Sequence, residues 1–180
     1  DAKGQAVGML NAVEKLLGEG EDRVGMLFTV GEEALGDGAI AANSRLADTW
    51  APSFIVVGEP TGSKFVKAHK GCFHAQPTAH GGAGHSSQDM GPSAVHELVK
   101  TLEQILAAHW GNAEGIGPGT VNLGRIEGGV ASNVVADFAK ASFLLRAVED
   151  PAVVQERLLG LLGEHVELRV EAGPYGPVRF

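Results

Sequence analysis

The stretch Val24-Gly-Met-Leu-Phe-Thr-Val-Gly-Glu-Glu33 sets the reading of the first part of the chain. From Val24 to Val30 it is almost continuously apolar, with charges upstream (Glu19 to Arg23) and two acids directly behind it. A short run of this kind predicts a strand buried on both faces, as in a parallel sheet, because a half-exposed strand would alternate. Phe54-Ile-Val-Val57 predicts a second such strand. Ahead of the first, Ala6, Met9, Leu10, Val13, Leu16 and Leu17 keep helical spacing and predict a helix over about residues 3–17, ended by Gly18 or Gly20. Residues 37–47 read as a further helix. The order α-β-α-β is that of an open α/β layer.

Beyond Pro60-Thr-Gly the pattern changes. Residues 64–79 predict a long strand or hairpin arm, and a glycine-rich loop, His80-Gly-Gly-Ala-Gly-His-Ser-Ser87, follows. A helix opening at Pro92 carries Val95, Leu98, Val99, Leu102, Ile105 and Leu106 on one face. Gly111 to Gly119 reads as a glycine-rich loop. Strands are predicted at 120–126 and 136–146, a helix capped by Asp150 to about Leu162, and a closing strand at 166–170. That succession, β-α-β-β-α-β, is the split βαβ order of a ferredoxin-like sandwich, with the boundary between the two blocks near Gly71.

Composition narrows the function classes. Fourteen basic against 22 acidic residues leave a net charge of −8, which argues against a protein that neutralises nucleic-acid phosphates over a broad basic surface. No apolar stretch approaches the roughly 20 residues of a bilayer-spanning helix, and no signal-peptide pattern opens the chain. Apolar residues at 44% supply a core. The single cysteine, Cys72, excludes an internal disulfide framework and suits a reducing, cytoplasmic compartment.

Acids stand at the ends of the apolar elements: Glu32 and Glu33 after the first predicted strand, Glu59 after the second, and Asp1 before the first helix. Ligands of open α/β sheets gather beyond the carboxyl ends of the strands, so these carboxylates would project into one crevice. Their mutual repulsion would be relieved by a divalent cation, and oxygen donors suit zinc, manganese or cobalt. The alternative is ordinary solvated loop charge. Of the histidines, His69 and His74 lie in a predicted strand and His96 and His109 on a helix, in no standard zinc spacing. His85 differs, since it sits in a glycine loop beside two hydroxyls. Other templates fail: Gly84-His-Ser-Ser-Gln88 lacks the last glycine of a nucleophile elbow, and Gly58-Glu-Pro-Thr-Gly-Ser-Lys64 is too short for a phosphate loop.

Six segments in fixed order, Asp1-Ala-Lys-Gly4, Phe28-Thr-Val-Gly-Glu-Glu33, Val57-Gly-Glu-Pro-Thr61, Lys70-Gly71, Gly84-His-Ser-Ser87 and Gly128-Gly-Val-Ala-Ser-Asn-Val-Val135, resemble the M20 metallopeptidase family. That family includes acetylornithine deacetylases, succinyl-diaminopimelate desuccinylases, aminoacylases and glutamate carboxypeptidases. The resemblance implies part of a mixed-sheet α/β catalytic domain over residues 1–70, a ferredoxin-like α+β lid for dimerisation over 71–172, and a return segment over 173–180. It implies a site with two divalent metal ions, zinc first and cobalt or manganese as alternatives, with Asp1 as the bridging ligand and Glu33 and Glu59 as terminal ligands. Glu32 matches the general base, His85 a lid histidine that stabilises the oxyanion in the partner subunit's site, and Asn133 and Arg146 match substrate-holding positions.

The sequence departs from the family pattern at Ala2 (usually Met), at Ala136 (usually Pro) and at Gln88-Asp-Met90. The resemblance also implies two histidine ligands outside these 180 residues, so the chain reads as an internal fragment, inactive by itself. The implied reaction is hydrolysis of the amide bond of an N-acyl amino acid by a metal-activated water, in a homodimer paired through the lid. The alternatives are a dimerisation or binding module without activity and a small-peptide carboxypeptidase of the same family. Neither nucleic acid nor membrane is an expected partner.

Overall fold

The computed structural model describes residues 2–33, 36–46 and 50–179, and divides into two compact units, residues 1–66 and 67–180. The first unit contains helices α1 (Ala2–Gly18) and α2 (Asp37–Leu46). The second runs β1 (Ala68–His69), β2 (Cys72–His80), β3 (Gly84–His85), α3 (Ala94–Ala107), β4 (Asn112–Ala113), β5 (Gly117–Pro118), β6 (Thr120–Gly128), β7 (Val134–Val135), β8 (Phe138–Arg146), α4 (Pro151–Gly160), β9 (Val166–Tyr175) and β10 (Val178–Arg179).

In the first unit the helices fall where periodicity puts them, but the two expected buried strands do not form. Among the described residues of this unit none belongs to a strand, and the apolar side chains of both runs lie open: Phe28 is 67% exposed and Phe54 80%. A strand buried on both faces needs hydrogen-bonding neighbours at its edges and covering layers above and below. The described part of the unit has only two helices to offer, so the runs keep their composition without the ladder it was read to serve.

The second unit is the expected sandwich. Its four-stranded antiparallel sheet has the order β6-β8-β2-β9, which is the ferredoxin-like arrangement. Strict alternation along β2 and β8 turns Phe73, Ala75, Ala79, Ala139, Phe143 and Leu145 to one face, where all are at most 1% exposed. Both long helices cover that face. Ile105 from α3 and Val154 and Leu158 from α4 join Phe73 and Phe143 in one core cluster, while Leu98 and Leu102 from α3 meet Ala79 and Ala139 in the other. The one buried polar side chain of this core, Thr101, accepts a hydrogen bond at 3.2 Å from the Gly163 backbone N–H, so no polar atom there is stranded. Asp150 caps α4 as expected, accepting from the Ala152 N–H at 2.8 Å ahead of Pro151.

Two details differ from the expected layout. The segment 111–119 is not a plain loop: Asn112 and Ala113 pair with Pro118 and Gly117 in a miniature hairpin. Glycines at 115 and 117, with φ of 77° and 82°, supply the left-handed backbone that so tight a reversal requires. In β6, Gly124 is the extra residue of a bulge between the Leu123–Phe143 and Arg125–Ser142 pairs. The bulge brings Arg125 and Glu127 to the polar face of the sheet, where Glu127 meets Lys140 at 2.7 Å.

Candidate active site

The lid loop is built by backbone hydrogen bonds at the end of β2. Gly81 N–H donates to the Asp137 carbonyl and Gly82 N–H to that of Pro92, both at 2.9 Å. These approaches leave no room for a side chain, since a Cβ at Gly81 would strike the Pro92 carbonyl oxygen and one at Gly82 that of Met90. The chain then turns back, so that Gly84 and His85 pair with Val135 and Val134 across the β3–β7 bridge. Ser86 N–H donates to the Asn133 carbonyl at 2.9 Å, which makes Asn133 a direct neighbour of the His85 loop. Both His85 and Asn133 are exposed. The His85 ring nitrogen Nδ1 lies 2.8 Å from the Ser87 hydroxyl and accepts from the Ser87 N–H at 3.3 Å.

Arg146 is not in this neighbourhood. It ends β8 opposite Thr120, whereas the His85 loop is tied to the residues just before Phe138, where β8 begins. A nine-residue strand at about 3.3 Å per residue separates the two ends by on the order of 25 Å. Of the three lid residues, two are brought together and the third stands at the far end of the sheet.

In the first unit, Glu32, Glu33 and Glu59 are all exposed. Gly31, with φ of 76°, makes the turn that carries Glu32 and Glu33, and its carbonyl accepts from the Gly36 N–H at 2.8 Å. Asp1 lies outside the described residues. Among the described residues no group of three or more His, Cys, Asp or Glu side chains is close enough to hold a metal ion. Carboxylate oxygens are suitable donors for zinc or manganese, but the described carboxylates alone, without Asp1, do not form a set that holds one.

Two features carry no obvious mark in the sequence. Ser87 contacts His85 through both its hydroxyl and its amide, for which the only sequence signal is a hydroxyl two residues after a histidine. Arg157 of α4 joins Glu149, the His109 carbonyl and the face of Trp110, a structural contact to two separate loops. No helix among the described residues is long and apolar enough to cross a membrane.

An antiparallel sheet of order β6-β8-β2-β9 with both helices on one face defines a ferredoxin-like α+β sandwich, with the His85 loop at one end. The family model described as a peptidase dimerisation domain matches residues 67–169. A peptidase M20 domain-containing protein of Schizosaccharomyces pombe is 34% identical over 175 residues, covering 94% of this chain and 43% of the yeast protein. The chain belongs to the M20 peptidase family. A probable carboxypeptidase of Neosartorya fischeri is 35% identical over 161 residues, 81% of this chain and 36% of that protein. Among solved structures, aminopeptidase PepT from Bacillus cereus superposes with a TM-score of 0.64 at 18% identity, over 84% of this chain and 42% of its own. A tripeptidase from Staphylococcus aureus gives 0.62 at 23% identity over the same shares. The chain therefore spans about two fifths of the length of the curated relatives it matches.

Proposed function

We propose that this chain is the lid-bearing portion of a homodimeric amidohydrolase that cuts an amide bond beside a free carboxylate, in a small peptide or an N-acyl amino acid. The observation that carries the reading is the placement of the lid residues at opposite ends of β8. His85 and Asn133 share one end and Arg146 holds the other, too far apart to grip one small substrate from a single lid. In a two-fold dimer each site can take its histidine and asparagine from one lid and its arginine from the other. Arg146 would then pair with the substrate carboxylate, and His85 would donate to the oxygen that becomes negative as the carbonyl is attacked. Glu32 would carry the proton from the attacking water to the leaving amine.

The lid surface supports pairing. Val99 and Leu106 on α3 are 53% and 52% exposed, and Ile126 on the neighbouring edge strand β6 is 55% exposed on the same side of the sheet. That edge has unused backbone hydrogen-bonding groups. The opposite edge strand, β9, bears Glu167, Arg169 and Glu171, charges that discourage strand addition. Asp1, Glu33 and Glu59 are proposed as ligands of two divalent ions, zinc first, in the longer protein, and the single thiol of Cys72 suits a cytoplasmic setting.

The fungal relatives named probable carboxypeptidases bring the peptide substrate forward. The Thr-Val-Gly-Glu-Glu and Gly-Glu-Pro-Thr segments resemble the deacetylase and desuccinylase branch. Hydrolysis of N-acetyl and N-succinyl amino acids against dipeptides, by a polypeptide of the relatives' length with added zinc, cobalt or manganese, separates the two. Turnover of neither class sinks the hydrolase reading. The second reading, a dimerisation module without activity, is favoured by the match of residues 67–169 to a peptidase dimerisation domain. Metal content after dialysis distinguishes it: near two equivalents in the longer polypeptide supports the enzyme, and none supports the module.

A further inference from the structure

Both hydrogen bonds made by the His85 ring converge on one nitrogen. A backbone N–H is a donor under all conditions, so the Ser87 amide, 3.3 Å away, requires Nδ1 to present its lone pair. The Ser87 hydroxyl, at 2.8 Å, can turn its hydrogen to the same atom as a second donor. A neutral imidazole whose Nδ1 accepts carries its proton on Nε2. The backbone on either side is fixed as well, by Ser86 N–H to the Asn133 carbonyl and by Gln88 N–H to the His85 carbonyl, both at 2.9 Å.

We infer that Ser87 is a positioning residue that holds His85 in the Nε2–H tautomer, leaving that N–H to donate to an oxygen gaining negative charge on bound substrate. The inference rests on the proposed role of His85, but the tautomer is a property of the lid loop itself. Without the Ser87 hydroxyl, Nδ1 keeps only the longer bond from the amide, so the hold on this tautomer weakens and a larger fraction of the lids would offer a lone pair where a donor is needed. An acceptor facing a developing anion repels it, so the fault would reach the rate through the transition state and not through substrate binding.

The test is long-range proton–nitrogen NMR of the nitrogen-15-labelled 180-residue chain at mildly alkaline pH, with His85 assigned by the resonance lost in His85→Gln. The expected pattern is a single Nε2–H tautomer for His85, unlike the mixture expected for the exposed His96. Ser87→Ala, which deletes the hydroxyl and keeps the amide, should move the two His85 nitrogen shifts part of the way toward each other, and Ser87→Thr should restore them. Ser87→Gly makes the same deletion by a second route if alanine disturbs the loop. A His85 that reads as Nδ1–H or as a mixture in the unaltered chain overturns the inference, and so does a pattern left unchanged by both deletions. Failure of the functional reading looks different: His85→Gln leaves hydrolysis by the longer polypeptide intact while the tautomer is as expected.

Discussion

Arg157 sets its Nη1 2.6 Å from Glu149 Oε2 while its guanidinium lies 5.8 Å from the centre of the Trp110 ring. One side chain of α4 thereby ties the β8–α4 connection to the segment that follows α3, where it also reaches the His109 carbonyl at 3.1 Å. Trp110 is 4% exposed and donates its indole N–H to the Ile105 carbonyl, so the cation rests on a ring that is itself fixed. Gly111 beside it has φ of 79°, a left-handed backbone that favours glycine, and a Cβ there would also displace the Glu149 carboxyl group.

This contact predicts an acid-dependent part of lid stability. The hydrogen bond from Arg157 holds the Glu149 carboxyl below the usual carboxylate range, against a smaller desolvation effect that pushes it up. A carboxyl lowered in the folded state contributes stability that is present above its unfolded pKa and is lost as pH falls through the folded value. The loss should therefore begin only below the ordinary carboxyl pKa of about 4.3. With both side chains about a third exposed, the pair contributes no more than about 1 kcal/mol. Denaturation midpoints of Glu149→Gln measured across the acid range should show a shallower fall than the unaltered chain; identical slopes would show that the pair is energetically silent.

Gly82→Ala should damage the lid loop out of proportion to its size. The added methyl group would overlap the Met90 carbonyl oxygen, and the Gly81 and Gly82 amides are both pinned by hydrogen bonds. The loop must move to make room, and a cost of about 1–3 kcal/mol is expected for such an overpacked site. Chemical denaturation with an unchanged m-value reads the cost. The His85 and Ser87 amide resonances should shift in the same variant, whereas Gly160→Ala, where a Cβ meets nothing within 4 Å, should leave them in place.

The lid was legible because its signals are local. Alternation in β2 and β8, the apolar face of α3 and the Asp150-Pro151 start of α4 each act over a few residues and each point to the same sandwich. The first unit was legible only as helices. Val24–Val30 and Phe54–Val57 have the composition of buried strands, but pairing is a property of what lies beside a strand, and local composition does not encode it. The site divides in the same way. The glycine loop announced that His85 was special, while its closeness to Asn133 depends on a β3–β7 bridge too short to leave a periodic pattern. The hairpin at 112–118 leaves no sequence signal for the same reason, since two-residue strands carry no alternation.

If the proposed dimer pairs through the lids, the exposed apolar seam predicts how they meet. Val99 and Leu106 are seven residues apart on α3, two helical turns along one stripe. Ile126 extends the patch onto β6. Replacing Val99 and Leu106 by glutamate should convert a dimer to a monomer in sedimentation velocity, because each buried pair of like charges across a two-fold axis opposes association. Folding should be preserved, as neither side chain belongs to the core clusters. A double variant that still sediments as a dimer would place the interface elsewhere.

The distance between the two ends of β8 leads to a sharper test of the shared site. In the longer polypeptide, His85→Gln and Arg146→Ala should each abolish most activity alone, the first by losing a donor to the oxyanion and the second by losing the partner of the substrate carboxylate. If each site takes His85 from one lid and Arg146 from the other, mixing the two inactive variants creates heterodimers with one intact site and one doubly defective site. Random exchange makes half the dimers mixed, so about a quarter of full activity should return on mixing, and none before subunits exchange. If instead both residues served the same lid's site, every site in the mixed dimer would carry one lesion and mixing would restore nothing. The comparison depends only on which chain supplies which side chain, so it tests the shared site without knowledge of the acyl group or the peptide that is cut.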